Sequence, residues 1–119
     1  MRKLFLVLML WTGFPVFAQV THAIQLVATD PNNPAGTQYN FYRQVGACPT
    51  TTPTSVAGFT KLNSAPVSGL TFSDNTVVVG TTYCYVATAV STSIESGPSP
   101  DAGATVLPFS PVSLTVTAK

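Results

Sequence analysis

Charge is scarce in this chain: 8% of its residues are Asp, Glu, Lys or Arg, and there is one histidine. So few charges leave no basic patch of the kind that grips nucleic acid or an anionic membrane surface. A Ser-His-Asp relay requires a base and an orienting carboxylate converging on a nucleophile. The single His22 stands at the start of a candidate strand and reads as an ordinary surface residue. Asp74, Glu95 and Asp101 are the carboxylates that a glycosidase-like pair would draw on. Their surroundings favour a blander role, with Asp74 and Asp101 capping turns and Glu95 solvating a loop. Cysteines are equally few. Cys48 and Cys84 are the only two, neither in a paired motif, so a metal site would be short of ligands. There is no glycine-rich phosphate loop, no Arg-Gly-Asp and no Asn-x-Ser/Thr. These absences point to a non-enzyme that uses no cofactor and no metal.

What the chain does have is β-branched and aromatic residues. Gly80-Thr-Thr-Tyr-Cys-Tyr-Val-Ala-Thr-Ala-Val90 runs without a proline and reads as the central strand of a sheet. Alternation puts Tyr83, Tyr85, Ala87 and Ala89 on one face and Cys84, Val86, Thr88 and Val90 on the other. The start of the chain is different. Met1-Arg2-Lys3 precedes an apolar run from Leu4 to Trp11, then Gly13 and Pro15, then Ala18. This is the pattern of a cleavable secretory signal over residues 1–18, cut after Ala18. The competing reading, a membrane anchor, requires about 20 apolar residues, more than the run offers. Cleavage leaves 101 of the 119 residues, a normal size for one domain. Arg43, Lys61 and Lys119 then face Asp30, Asp74, Glu95 and Asp101, a formal charge of −1.

Turn signals divide the mature chain at the spacing of an all-β sandwich. Strands are expected over His22–Thr29, Gln38–Arg43, Gly58–Asn63, Leu70–Asp74, Gly80–Val90 and Ala102–Leu107. The second should turn Tyr39 and Phe41 inward, leaving Asn40 and Tyr42 outward, where an exposed Tyr42 is available for stacking on sugar or on a cross-strand partner. Asp30–Gly36, Val45–Ala57, Ser64–Gly69 and Ser91–Asp101 read as turns and loops.

These segments together resemble a fibronectin type III domain, most like those of bacterial exported proteins. The likeness runs through His22-Ala-Ile-Gln-Leu-Val-Ala28, Tyr39-Asn-Phe-Tyr-Arg43, Phe59-Thr-Lys-Leu-Asn63 and Phe72-Ser-Asp74. Its most specific part is Gly80-Thr81-x-Tyr83 with Ala89, which matches that family's F strand. The resemblance covers residues 22 to 107 and implies an antiparallel two-sheet β-sandwich of fibronectin type III or immunoglobulin-like type. It also implies a structural tyrosine corner at Tyr83. Ala28 departs from it, since such domains place a tryptophan in strand B. In that topology the loop after strand C, with Cys48, lies beside the start of strand F, with Cys84. A disulfide between them is the expectation for an exported protein.

Residues 19–107 therefore form the sandwich, and 108–119 a tail of its own kind. Pro111 with Leu114 and Val116 is similar to strand A of the family, which should come first, whereas only Gln19 to Thr21 precede strand B. Pro108 to Ser110 reach at most about 10 Å, too little to cross back over the sandwich. Val112, Leu114 and Val116 are thus candidates for donation to another molecule. A cis strand in unusual register, a loose tail and the stub of a larger multidomain protein remain open alternatives. The functional expectation is a secreted, periplasmic or cell-surface module with an adhesive, scaffolding or assembly role, one route being self-association through the tail. The alternative is a carbohydrate- or protein-binding accessory domain using the C–C′ and F–G loops.

Overall fold

The computed structural model describes residues 21–119, together with the backbone of a short hairpin formed by β1 (Met9–Trp11) and β2 (Phe14–Val16). The rest of the expected signal segment, with its cut after Ala18, lies outside the described residues. The described chain is all-β. Two antiparallel sheets form a sandwich. One pairs β3 (Ile24–Val27) with β6 (Thr71–Asp74). The other has five strands: β5 (Thr60–Lys61), β4 (Gln38–Val45), β7 (Thr82–Ser91), β8 (Ile94–Glu95) and β9 (Ala102–Thr105). β7 lies at its centre, pairing β4 along one edge and both β8 and β9 along the other. Among the described residues no helix is long and apolar enough to cross a membrane.

The β4–β7 register explains why the central strand alternates large and small residues. Tyr39 lies opposite Ala89 and Phe41 opposite Ala87. Each alanine leaves room for the ring across from it, so the inner face fills without overpacking. Phe41 then stacks on Phe72 of the facing sheet at 5.3 Å between centroids. Ile24, Tyr83, Tyr85 and Val106 form the buried cluster, with Leu26, Leu62, Val77 and Ala104 packed against it.

Several sequence expectations are corrected. Tyr42 is not exposed; only 6% of its surface meets solvent. Its hydroxyl donates to Glu95, and the Lys61 ammonium stands 5.9 Å from the ring centroid. The expected strand Gly58–Asn63 shrinks to Thr60–Lys61, because the Asn63 side chain takes over the edge of β4 beyond it. Asn63 Oδ1 accepts from the Phe41 N–H at 2.8 Å, and Nδ2 donates to the Ala65 carbonyl (2.8 Å), Asn40 Oδ1 (3.0 Å) and the Tyr39 carbonyl (3.2 Å). The last strand stops at Thr105, although Val106 still exchanges bonds with Gly80 and Thr81. The polar turn expected over Ser91–Asp101 contains β8, joined to β7 by a two-residue turn. Thr92 and Ser93 make that turn with φ of 47° and 66°, the left-handed region that β-branched residues avoid.

Candidate functional site

Three constellations and one groove hold the chemistry-bearing side chains. The first is on the outer face of the five-stranded sheet. Asn40 and Thr88 face each other across β4 and β7, as do Tyr42 and Val86. The β7–β8 turn brings Glu95 back over them, and its Oε2 accepts from the Asn40 amide (3.2 Å), the Tyr42 hydroxyl and the Thr88 hydroxyl. Glu95 is exposed, as a solvated residue would be, yet its Oε2 is also the acceptor on which three buried donors converge. The Thr88 and Tyr42 hydrogen bonds hold its carboxyl below the ordinary carboxylate value. In turn, burial and then the bond to Glu95 push the Tyr42 phenol up to about 12.

The second constellation lies between the sheets. Asp74, at the end of β6, accepts from Thr76 N–H (3.0 Å) and Thr76 Oγ1 (2.7 Å) and so caps the turn that follows. Its other oxygen accepts from the Tyr85 hydroxyl and from the Arg43 guanidinium, each at 2.9 Å. Only 2% of the Asp74 side chain is exposed. Arg43 also lies over the Tyr83 ring, 4.7 Å from its centroid. Burial pushes the Asp74 carboxyl up, but the bonds from Thr76, Tyr85 and Arg43 outweigh it and hold the carboxyl below its ordinary value. A shorter relay ties the β3–β4 turn to the core: the Tyr39 hydroxyl and the Asn33 amide both donate to Asp30 at 2.8 Å.

The third is the disulfide. Cys48 and Cys84 are bonded, with Cα atoms 4.9 Å apart, and Cys84 is fully buried. The Asp101 carboxylate lies within 4.8 Å of both sulfurs. The bonded sulfurs are not thiolates, the form that zinc requires. Tyr83, buried in the core, receives a hydrogen bond from the Val78 N–H on its hydroxyl oxygen at 3.0 Å. His22 is no free surface residue, since its ring stacks on Phe109 with centroids 3.8 Å apart.

The groove lies where the two sheets part, along the edge of β3 that faces away from β6. It has a volume of about 530 Å³, bordered by residues 24–29, with Phe41, Tyr85 and Ala104 in its wall. The tail stands apart from it. Val112, Leu114 and Val116 are 102%, 88% and 84% exposed, and no strand forms within residues 108–119.

The sequence pointed to Cys48, Cys84 and Tyr83; Tyr83 and Cys84 are adjacent on β7, and Cys48, in the β4–β5 loop, is bonded to Cys84. Among the described residues His22 makes no ion pair with Asp74, Glu95 or Asp101. Asn63 and the convergence on Glu95 were missed. No protein-family model and no curated protein matches this sequence.

Proposed function

We propose that this chain is a non-catalytic, exported β-sandwich module of the fibronectin type III kind, acting in adhesion, scaffolding or assembly through contact with protein. The observation that carries the reading is how three of its four side-chain carboxylates are used. Asp30, Asp74 and Glu95 each accept from side chains on other strands or turns, holding the sandwich together. Groups committed in this way are poorly placed to exchange protons with a substrate. The Cys48–Cys84 bond supports an oxidising compartment, and the basic and apolar start of the chain supports export with cleavage after Ala18. The facing of β3–β6 against the larger sheet, with Tyr83 held by the Val78 amide, supports the fibronectin type III likeness.

Mass spectrometry of the secreted or periplasmic fraction, with sizing and a glycan array on the same protein, tests the proposal. Expected are a chain beginning at Gln19, concentration-dependent association and no glycan retention. Recovery of intact Met1–Lys119 from soluble cytoplasm overturns export.

A second reading, a carbohydrate- or protein-binding accessory domain, draws on the β7–β8 turn. Thr92 and Ser93 hold left-handed backbone there and Ile94 beside them is 73% exposed, and backbone strain of this sort gathers at binding loops. Specific retention of the wild type on a glycan, lost on changing Ile94 to Ser, would select it.

A further inference from the structure

We propose that the groove along β3 is the seat for residues 112–116 of a second copy of this chain. The proposal rests on the assembly reading above and gives it a partner and a site. β3 bonds β6 along one edge, and among the described residues no strand pairs with its other edge. Beside that open edge the groove presents Ile24, Leu26 and Ala28, backed by Phe41, Tyr85 and Ala104. An edge of unpaired backbone over an apolar floor is a template for an added strand.

The chain carries a segment that fits this template. Val112, Leu114 and Val116 alternate with Ser113, Thr115 and Thr117, so an extended tail turns three aliphatic side chains to one face and polar ones to the other. Those three side chains are almost fully exposed where they stand. At about 3.3 Å per residue, five residues reach roughly 17 Å, against roughly 20 Å for the six residues 24–29 that border the groove. Pro111 lacks an N–H and falls at the start of the added strand, where that loss is tolerated.

Strand direction decides which molecule supplies the tail. Phe109 stacks on His22, so the tail leaves the sandwich at the pole where β3 begins. To enter its own groove from there it must reverse over Ser110 and Pro111 and run parallel to β3. Entering another molecule's groove from the Thr29 end, it runs antiparallel to β3 and makes the more stable ladder. Each copy then gives one tail and receives one. The contact is heterologous, closing into a ring or extending as a filament.

The test is the size of the oxidised mature protein by light scattering over a range of concentrations, compared with Leu114→Asp. Leu114 makes no buried contact in the monomer, so the variant keeps its fold. Expected are wild-type oligomers, a Leu114→Asp monomer, and a rise of several degrees in the variant's Tm on adding a peptide of residues 110–119. The same peptide carrying Leu114→Asp should leave Tm unchanged. Oligomers that persist in Leu114→Asp, or a peptide without effect, overturn the proposal. So does a monomeric wild type, and protection of amides 112–116 from exchange in that monomer would place the tail in its own groove. If the protein is exported and cleaved yet monomeric, donation alone fails. If it is retained uncleaved in the cytoplasm, the failure belongs to the export reading, and the sizing result stands separately.

Discussion

A Cβ on Gly103 would stand 3.3 Å from Cys48 Sγ and 3.4 Å from the Tyr83 carbonyl oxygen. Gly103 is the partner of Cys84 across β9 and β7, so the disulfide lies over the one position of β9 that has no side chain. Substituting Gly103→Val forces either the Cys48 loop or β9 to move. The expected loss is about 1–3 kcal/mol, in the range of other overpacked sites, with faster reduction of the bond by a small thiol. Urea unfolding of the oxidised protein measures the first and thiol trapping the second. A valine variant with wild-type stability and reduction rate would show that the loop yields freely.

Removing the bond itself has a different signature. It joins residues 36 apart in sequence, for which the loop-entropy model gives about 4 kcal/mol of stabilisation. The double substitution Cys48→Ala, Cys84→Ala should lower the urea midpoint accordingly, with only a modest change in slope. Two thiols titrating in the unfolded, unreduced secreted protein would show that the bond is not made. A bonded protein that loses nothing on double substitution would refute the energetic part alone.

Asp74 sets an acid limit. Its folded carboxyl lies below its ordinary value, despite burial, because Thr76, Tyr85 and Arg43 all favour the ionised form. A group shifted this way contributes fully above its unfolded pKa of about 3.9, and that contribution is lost as pH falls through the lower folded value. Wild-type stability should therefore drop below about pH 4. Asp74→Asn should be less stable by about 3 kcal/mol at neutral pH, since it leaves Arg43 without its partner, and its acid limb should be shallower. Equal acid limbs in urea titrations at several pH values would assign the drop to other carboxylates.

The sandwich was legible because its signals are local. The β-branched run at Thr82–Val90, the turn clusters and the two lone cysteines each declare themselves within a few residues. The polar network was not, because its partners are far apart in sequence. Glu95 meets Tyr42 and Asn40 across 53 and 55 positions, and from its neighbours alone a glutamate beside serine and glycine reads as loop. Asn63 was hidden in the same way, since it reads as the last residue of the strand expected over Gly58–Asn63, whereas its amide replaces the ladder bonds that a longer β5 would make. β8 escaped for a third reason. Thr92-Ser93 lacks the Asn-Gly or Asp-Gly pair that marks a two-residue hairpin turn.

That last mismatch is itself testable. Thr92 and Ser93 sit at φ of 47° and 66°, where a β-branched side chain is strained and Asn or Gly is at ease. Replacing the pair with Asn-Gly should stabilise the protein by about 1 kcal/mol or more, seen as a higher Tm. If the accessory-domain reading is right, the gain in stability should come with weaker ligand retention, as relief of strain at a binding loop would produce. An unchanged Tm would mean that the turn is held in this shape without cost.

Glu95 and Tyr42 provide the alkaline counterpart of Asp74. Burial first, and then the hydrogen bond to Glu95, push the Tyr42 phenol up to about 12. For an acid whose folded pKa is raised, the stabilising contribution is complete below the unfolded value of about 10 and is lost as pH climbs through the folded one. The protein should thus weaken between about pH 10 and 12, and Tyr42→Phe should remove part of that limb. Glu95→Gln keeps an acceptor but removes the charge, so Tyr42 should titrate lower than in the wild type while still above 10, because burial remains. Tyrosinate absorbance during an alkaline titration, with Tyr42→Phe as the reference that assigns the signal, measures this. Glu95→Ala goes further and leaves the Asn40, Tyr42 and Thr88 donors without their shared acceptor, at a cost of about 1–3 kcal/mol. An alanine variant as stable as the wild type would mean that water replaces the carboxylate at no penalty, and that the outer face is held by strand pairing alone.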